Sequence, residues 1–295
     1  MGMNDEVPKL RLVPVESADE IARRLNLETK TENVQREMDL EQSLAPFRVG
    51  SVSYLNAAPL TRGIEDQIVL TTPAKLAQLL QKDELDAGLV SVVEVLMHDR
   101  YDILDGIAIA SLGEVKSVFL AHRVPIETLS VVYCDPASLT SVRLLQVILG
   151  QRGLKPEFKP LPEELPAGGV DGVLLIGNRA IDFLRAPHQH ELLDLGAAWL
   201  EMTGLPFVYA VWALRRGIEN SHLRRQLRAA RDFGMDTLDS IIRTRTEYDF
   251  DFRKDYLGWH IHYHLGSDEK RGLARFVELL RAQGLGPVYE PRYVS

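Results

Sequence analysis

From residue 47 onward the chain alternates between short apolar runs and amphipathic stretches of helical period. FRVGSVSY, QIVLTT, DAGLVSV, YDILDGIAIAS, VKSVFLAHR, LSVVYCD and GVDGVLLIG are rich in β-branched and aromatic residues and read as strands. Between them lie helical segments. Thr72-Pro73 is a helix start, with Thr as N-cap and Pro at the first helical position. The helix it opens places Leu76, Leu79 and Leu80 on one face. SVRLLQVILGQRG is a second amphipathic helix, ended by Gly153. After Arg216 the pattern is helical, including stretches at 253–265 and 268–283. Strands separated by helices predict an α/β fold with mostly parallel sheets covered on both faces. Two α/β segments followed by a helical tail predict two lobes.

Charge narrows the function. The chain has 34 basic and 42 acidic residues, a formal net charge of −8. That excludes a general nucleic-acid binder and argues against an anionic-membrane binder, both of which need a basic surface. A small anion remains admissible, because it senses local amides and cations rather than the net charge. Half of the −8 lies in residues 1–46, where ten acids face six bases and no aromatic residue occurs. This segment is an appendage to the core, with Ser17-x-x-Glu20 reading as a capping box before a short helix at 21–27. No basic segment leads into an apolar one near the N-terminus, so the expected compartment is the cytoplasm. With one cysteine, Cys134, neither an intrachain disulfide nor a Cys-rich zinc site can form. Cys134 ends an apolar strand and reads as a small buried hydrophobe rather than a nucleophile.

Several chemistries lack a motif. There is no Walker A sequence, no G-x-G-x-x-G after a strand and no G-x-S-x-G elbow. No cofactor is expected. His260, His262 and His264 would share one face of a strand, but the surrounding Tyr256, Leu257, Trp259 and Tyr263 fit a helix better. In a helix His262 points away from the other two, so no metal site is expected there.

Polar loops at strand ends carry the positive signal, since ligands of open α/β sheets lie beyond the carboxyl ends of strands. The first is Ser51-Val52-Ser53-Tyr54-Leu55-Asn56. The second ends in Ser91, and the third runs from Ser111 to Ser117. The fourth, Ser138-Leu139-Thr140-Ser141, sets three hydroxyls beside the free N–H groups of a helix start, a combination suited to a carboxylate or phosphate. The fifth, Glu201-Met202-Thr203-Gly204-Leu205-Pro206-Phe207, fixes a turn through Thr-Gly and Leu-Pro with Thr203 near its tip. Each also has a plain reading as a cap or a turn. They form one site only if the two lobes face each other.

The stretches RVGSVSYLNAAPL, ELDAGLVSVVEVL, IAIASLGEVKSVFL, SLTSVRLL, VLLIGNRAI and DLGAAWLEMTGLPFVYAVWALR resemble the MqnA family, the chorismate dehydratases of the futalosine route to menaquinone. The resemblance runs over 47–285, and SYLN with TGLPFV is its most specific part. It implies a two-lobed fold like type II periplasmic binding proteins, with a ligand cleft between the lobes. On that reading VKSVFLAHR and FVYAVWALR are the crossover strands. Lobe one is then 47–122 plus 213–295, and lobe two is 123–212.

The implied reaction removes water from chorismate, a dianion, to give 3-[(1-carboxyvinyl)oxy]benzoate. The implied catalytic residues are Asn56 in SYLN and Ser117 in VKS. Ser53, Tyr54, Ser91, Ser111, Ser138, Thr140, Ser141, Gly177, Asn178, Thr203 and Gly204 are the implied substrate-binding residues. None of these motifs offers a strong general base, so the substrate's own side-chain carboxylate is a candidate. Lys116, Arg143 and Arg179 are the cations nearest the motifs. Asn178 stands in IGNRA where the family commonly has Asp. A binding protein for a small carboxylate, or the related 1,4-dihydroxy-6-naphthoate synthase, are the alternatives. Oligomeric state is not written in the sequence.

Overall fold

The computed structural model describes residues 18–41, 43–135, 139–162 and 164–295. The Ser17 capping box therefore lies outside the described residues. Of these, 18–39 fall in one unit and 40–295 in another. In the first, a single helix, α1 (Ala18–Leu40), replaces the short helix expected at 21–27. Val34 and Met38 on it are exposed, as in a helix whose residues are mostly polar.

The second unit holds two sheets. Its strands are β1 (Val49–Val52), β2 (Ile68–Thr71), β3 (Ala87–Ser91), β4 (Tyr101–Ser111), β5 (Val118–His122), β6 (Val131–Cys134), β7 (Glu157–Pro160), β8 (Gly172–Ile176), β9 (Glu191–Asp194), β10 (Phe207–Arg215) and β11 (Tyr293–Val294). Its helices are α2 (Pro73–Gln81), α3 (Val92–Met97), α4 (Leu139–Gln151), α5 (Gly177–Arg185), α6 (Leu195–Thr203), α7 (Ser221–Asp236), α8 (Leu238–Thr244), α9 (Phe250–Asp255) and α10 (Ser267–Ala282). The Thr72 hydroxyl caps α2 by accepting from the Lys75 N–H, and Leu76 and Leu80 of that helix are fully buried.

The six-stranded sheet has the order β11-β4-β10-β3-β1-β2, and the five-stranded sheet β7-β6-β8-β5-β9. Each sheet contains one strand that is antiparallel to both neighbours. In the first it is β10, between β3 and β4. In the second it is β5, between β8 and β9. These are the two strands expected to cross between lobes, and the placement corrects that expectation. Each lies wholly in the sheet the chain has just entered. The crossings are 112–117 on the way out, and α6 with 204–206 on the way back. Lobes drawn by sheet therefore divide near 112–117 and 195–206 rather than at 122/123 and 212/213.

The two crossings meet at one carboxylate. Asp194 caps α6, accepting from the N–H groups of Gly196 and Ala197. It also accepts from Val115 at 3.1 Å and Lys116 at 2.8 Å in the other crossing. A cap of this kind contributes about 1 kcal/mol, and here the same group also joins two chain segments. Burial raises the Asp194 carboxyl above the usual range, against the lowering by these donors.

The largest apolar cluster among the described residues draws on strands of both sheets. Trp199 on α6 sits edge-on to Phe207 and Phe276, so α6 and α10 are locked to β10. Gly234 on α7 lies against the turn at 55–60. A Cβ there would stand 1.9 Å from the Pro59 carbonyl oxygen, so only glycine lets α7 support that turn so closely.

The helix expected over 253–265 breaks. α9 ends at Asp255, a π-turn covers Tyr256–His260, and the chain then extends. His262 exchanges both backbone hydrogen bonds with Ala110 of β4, at 2.8 and 2.9 Å. A strand edge in need of partners outweighs a helical sequence pattern here.

Candidate active site

A cavity of about 650 Å³ lies at the carboxyl ends of β1, β3 and β8, and both sheets line it. The walls are mainly apolar: Val52, Leu89, Ile109, Val118, Leu139 and Ile176. No Asp, Glu, Lys, Arg or His occurs among the described lining residues.

The polar functions gather at two ends. At the first, a tight turn after β1 carries Asn56, and the segment before β5 carries Ser117. Tyr256, in the π-turn, joins them. The Asn56 amide Nδ2 donates to the Tyr256 hydroxyl at 3.1 Å. The Tyr256 hydroxyl in turn donates to Ser117 Oγ at 2.8 Å. The direction of these bonds decides what is left over. Ser117 accepts from Tyr256, so its own O–H remains to donate. Asn56 Oδ1 is buried and has no hydrogen-bond partner. The pair thus offers one acceptor and one donor to a bound group. Burial raises the Tyr256 phenol, against the lowering by its bonds to Ser117 and Asn56, and keeps it protonated as the relay requires.

At the second end, Thr140 stands in the first turn of α4. Its hydroxyl shares a short hydrogen bond with Ser91, and receives the Val93 N–H at 3.3 Å. It also donates toward the Tyr209 carbonyl at 3.3 Å. These contacts tie α4 to the six-stranded sheet. Ser141 follows on the same helix, whose first N–H groups lack intrahelical partners and favour an anion.

Tyr54 closes one side. Its ring lies over Gly177, where a Cβ would be 3.0 Å from the ring and φ is +55°. Glycine is required there both for that approach and for the left-handed backbone. Burial, with Asp135 adding to it, pushes the Tyr54 phenol up to about 12.

A family model described as menaquinone biosynthesis matches residues 47–282, which include every strand but β11 and every lining residue of the cavity. The chain belongs to the menaquinone-biosynthesis family. It is 34% identical over 263 residues to the chorismate dehydratase of Thermus thermophilus, covering 80% of this chain and 96% of that protein. The fold is also that of protein AF1704 from Archaeoglobus fulgidus, with a TM-score of 0.64 at 19% identity over 81% of this chain and 98% of that one. The alkanesulfonate-binding protein SsuA from Xanthomonas axonopodis pv. citri shares it too, with a TM-score of 0.60 at 14% identity over 82% and 94%. The two-lobed architecture is thus that of periplasmic binding proteins.

Of the family residues singled out by sequence, Tyr54, Asn56, Ser91, Ser117, Thr140, Ser141 and Gly177 come together in the lining. Others lie elsewhere. Ser53 is exposed beside the cavity. Ser111 is one layer behind it, its hydroxyl bonded to the Gly113 carbonyl and the Tyr209 hydroxyl. Asn178 is outside the lining, with Oδ1 buried and unpartnered. Thr203 and Gly204 end α6: the Thr203 hydroxyl is spent on the Trp199 carbonyl at 2.8 Å, and Gly204 is the left-handed cap. Helix termination therefore accounts for that motif. Ser138 lies outside the described residues.

The three nearby cations are engaged and none lines the cavity. Lys116 pairs with Asp255, Arg143 bonds Gln146, and Arg179 meets Asp135 at 3.3 Å. Cys134 is buried, and burial pushes its thiol up to about 12, so it is a packing residue. Sequence reasoning missed Tyr256, which reads locally as one more aromatic on a helix. Its partners lie 200 and 139 residues away, beyond any local signal.

Proposed function

We propose that this protein is a chorismate dehydratase, a hydro-lyase that removes water from chorismate to give 3-[(1-carboxyvinyl)oxy]benzoate. The observation that carries the reading is the match to the Thermus enzyme over 96% of that enzyme's length. The cavity adds a chemical reason. Its lining offers hydroxyls, an amide and helix N–H groups to hold two carboxylates.

The reaction breaks the C3–H and C4–O bonds of the ring. The C3 proton is vinylogous to the ring carboxylate, so its loss gives a delocalised anion that expels hydroxide. The two departing groups are on the same face of the ring, which favours stepwise loss. The described lining holds no carboxylate or imidazole to act as base. The side-chain carboxylate of the substrate takes the C3 proton, and that proton leaves with the hydroxide as water. The protein's part is positioning and hydrogen bonding. Asn56 Oδ1 accepts from the C4 hydroxyl, and the Ser117 O–H donates to its oxygen as charge builds there. Ser141 and the start of α4, which Thr140 seats against the six-stranded sheet, take a carboxylate. Binding through dipoles leaves the substrate carboxylate unpaired with any cation, and so basic enough for its task. A small-molecule substrate and a cytoplasmic setting complete the reading.

Incubation with chorismate, followed by ultraviolet absorbance and chromatography, tests the assignment. Stoichiometric formation of the aromatic ether is expected. Tight binding with no aromatic product would overturn it and leave a binding protein. Full-rate turnover of an analogue lacking the side-chain carboxylate would overturn the base assignment alone.

A further inference from the structure

The break in the helix at 256–260 has a second effect, remote from the cavity. In the extended segment that follows, His262 and His264 project from the same side, as alternate residues of a strand do. Their rings stack at 5.4 Å between centroids and 20° between planes. Facing them is Glu269 in the first turn of α10, only 3% exposed. One carboxylate oxygen, Oε1, lies 3.1 Å from His264 Nε2 and 3.9 Å from His262 Nδ1. The other, Oε2, is held by the Gly266 N–H at 3.0 Å.

We propose that His262, His264 and Glu269 form a binding site for a divalent transition ion of the zinc class. All three ligand atoms lie within 4.8 Å of one another. Around zinc, with bonds of about 2.0–2.2 Å, tetrahedral ligands stand roughly 3.3 Å apart. Small side-chain rotations close the difference, and His264, whose side chain is 59% exposed, is free to make them. The other two ligands are already fixed. The His262 backbone is clamped to β4, and Glu269 is oriented by its backbone donor, as outer-shell partners orient metal ligands.

A simple ion pair accounts for His264 but not for His262. The His262 Nδ1 atom is buried and has no hydrogen-bond partner. At 3.9 Å it is too far from Oε1 for a hydrogen bond, yet the two atoms are close enough to share one ion. Two imidazoles and one carboxylate suit zinc, cobalt and nickel rather than calcium or magnesium. The exposed side of His264 leaves a fourth position to water. None of the three residues lines the cavity, so the ion has a structural role. It ties the segment after the π-turn, and through it the β4 edge, to the start of α10.

Calorimetric titration of the chelator-stripped, dialysed full chain with Zn2+ tests this. One equivalent is expected to bind, with a melting temperature that rises with free Zn2+ as ligand linkage requires. Co2+ at the same site should give the visible absorption of a low-coordinate ion. His262→Gln and His264→Ala should each weaken binding by more than about tenfold, the scale of loss when even an outer-shell partner is removed. Circular dichroism of metal-free His264→Ala should show the folded protein with a cooperative melt, which separates lost ligation from lost folding. His188→Ala, in the other histidine cluster of the molecule, should bind as the unsubstituted protein does. Absence of saturable binding, or unchanged affinity in His264→Ala, would overturn the proposal.

Discussion

The two polar ends of the cavity differ in how their hydrogen bonds are spent. At the Thr140 end the hydroxyl is pinned to Ser91, the Val93 N–H and the Tyr209 carbonyl, so little side-chain capacity remains. What that end offers a ligand is the start of a helix. At the Asn56 end the chain Asn56–Tyr256–Ser117 is polarised in one direction and leaves an acceptor and a donor unspent. On the proposed reading, one end holds charge and the other meets the changing group. The described lining holds no carboxylate, imidazole or cationic side chain at either end.

Reversing the relay should have the largest effect. In Asn56→Asp the carboxylate accepts from Tyr256 instead of donating to it. Tyr256 can then no longer donate to Ser117, and a negative charge faces a dianion. Turnover should fall about a thousandfold, the loss expected when a preorganised charge-stabilising group is removed. Unchanged turnover would take Asn56 out of the site.

Tyr256→Phe breaks the relay without adding charge. kcat should fall between about tenfold and a hundredfold with KM nearly constant, as for an interaction made in the transition state. Denaturant unfolding should show a loss of about 1–3 kcal/mol from the buried partners left unmatched. Equal losses in kcat and substrate affinity would reduce Tyr256 to a packing residue.

The opposite pattern is expected at the other end. Thr140→Val keeps the shape and removes the hydroxyl that seats α4. KM should rise by up to about tenfold with kcat little altered, the signature of lost ground-state binding. A fall in kcat alone would erase the division between the two ends.

Gly177→Ala tests the wall between them. The added methyl meets the Tyr54 ring at 3.0 Å with φ at +55°, and stability should drop by about 1–2 kcal/mol in thermal unfolding. The smallest effect is one of pH. Burial raises the Tyr256 phenol, so its donating form persists above the ordinary tyrosine value of about 10. Because the raised group loses its proton only at higher pH, kcat/KM should show no alkaline break near that value. A break there that vanishes in Tyr256→Phe would show the relay titrating.

Much of this was legible before any coordinates. Strand runs such as QIVLTT and DAGLVSV, the Thr72 cap and the leucine face of α2 are local patterns, and each formed where it was read. Asn56 and Ser117 were visible because they sit in distinctive loops at strand ends. Thr203 and Gly204 were visible for the same reason but serve to end a helix, since a polar turn has the same appearance whether it binds a ligand or a backbone. The stretch 253–265 shows the opposite failure. Its spacing is helical, yet half of it extends, because β4 supplies backbone partners that a sequence window does not contain.

By itself, the sequence determined the α/β class, the order of elements, the loops able to meet a small anion and the family. The first three follow from propensity, capping and periodicity, which act over a few residues; the family follows from the resemblance of whole motifs such as SYLN and TGLPFV. Only the tertiary structure decided which sheet takes β5 and β10, which hydroxyl joins Asn56 to Ser117, and that two histidines meet Glu269. Those outcomes depend on register and on the direction of individual hydrogen bonds between residues far apart in the chain. They become determinate only when packing brings the partners together and burial makes an unmatched polar group costly.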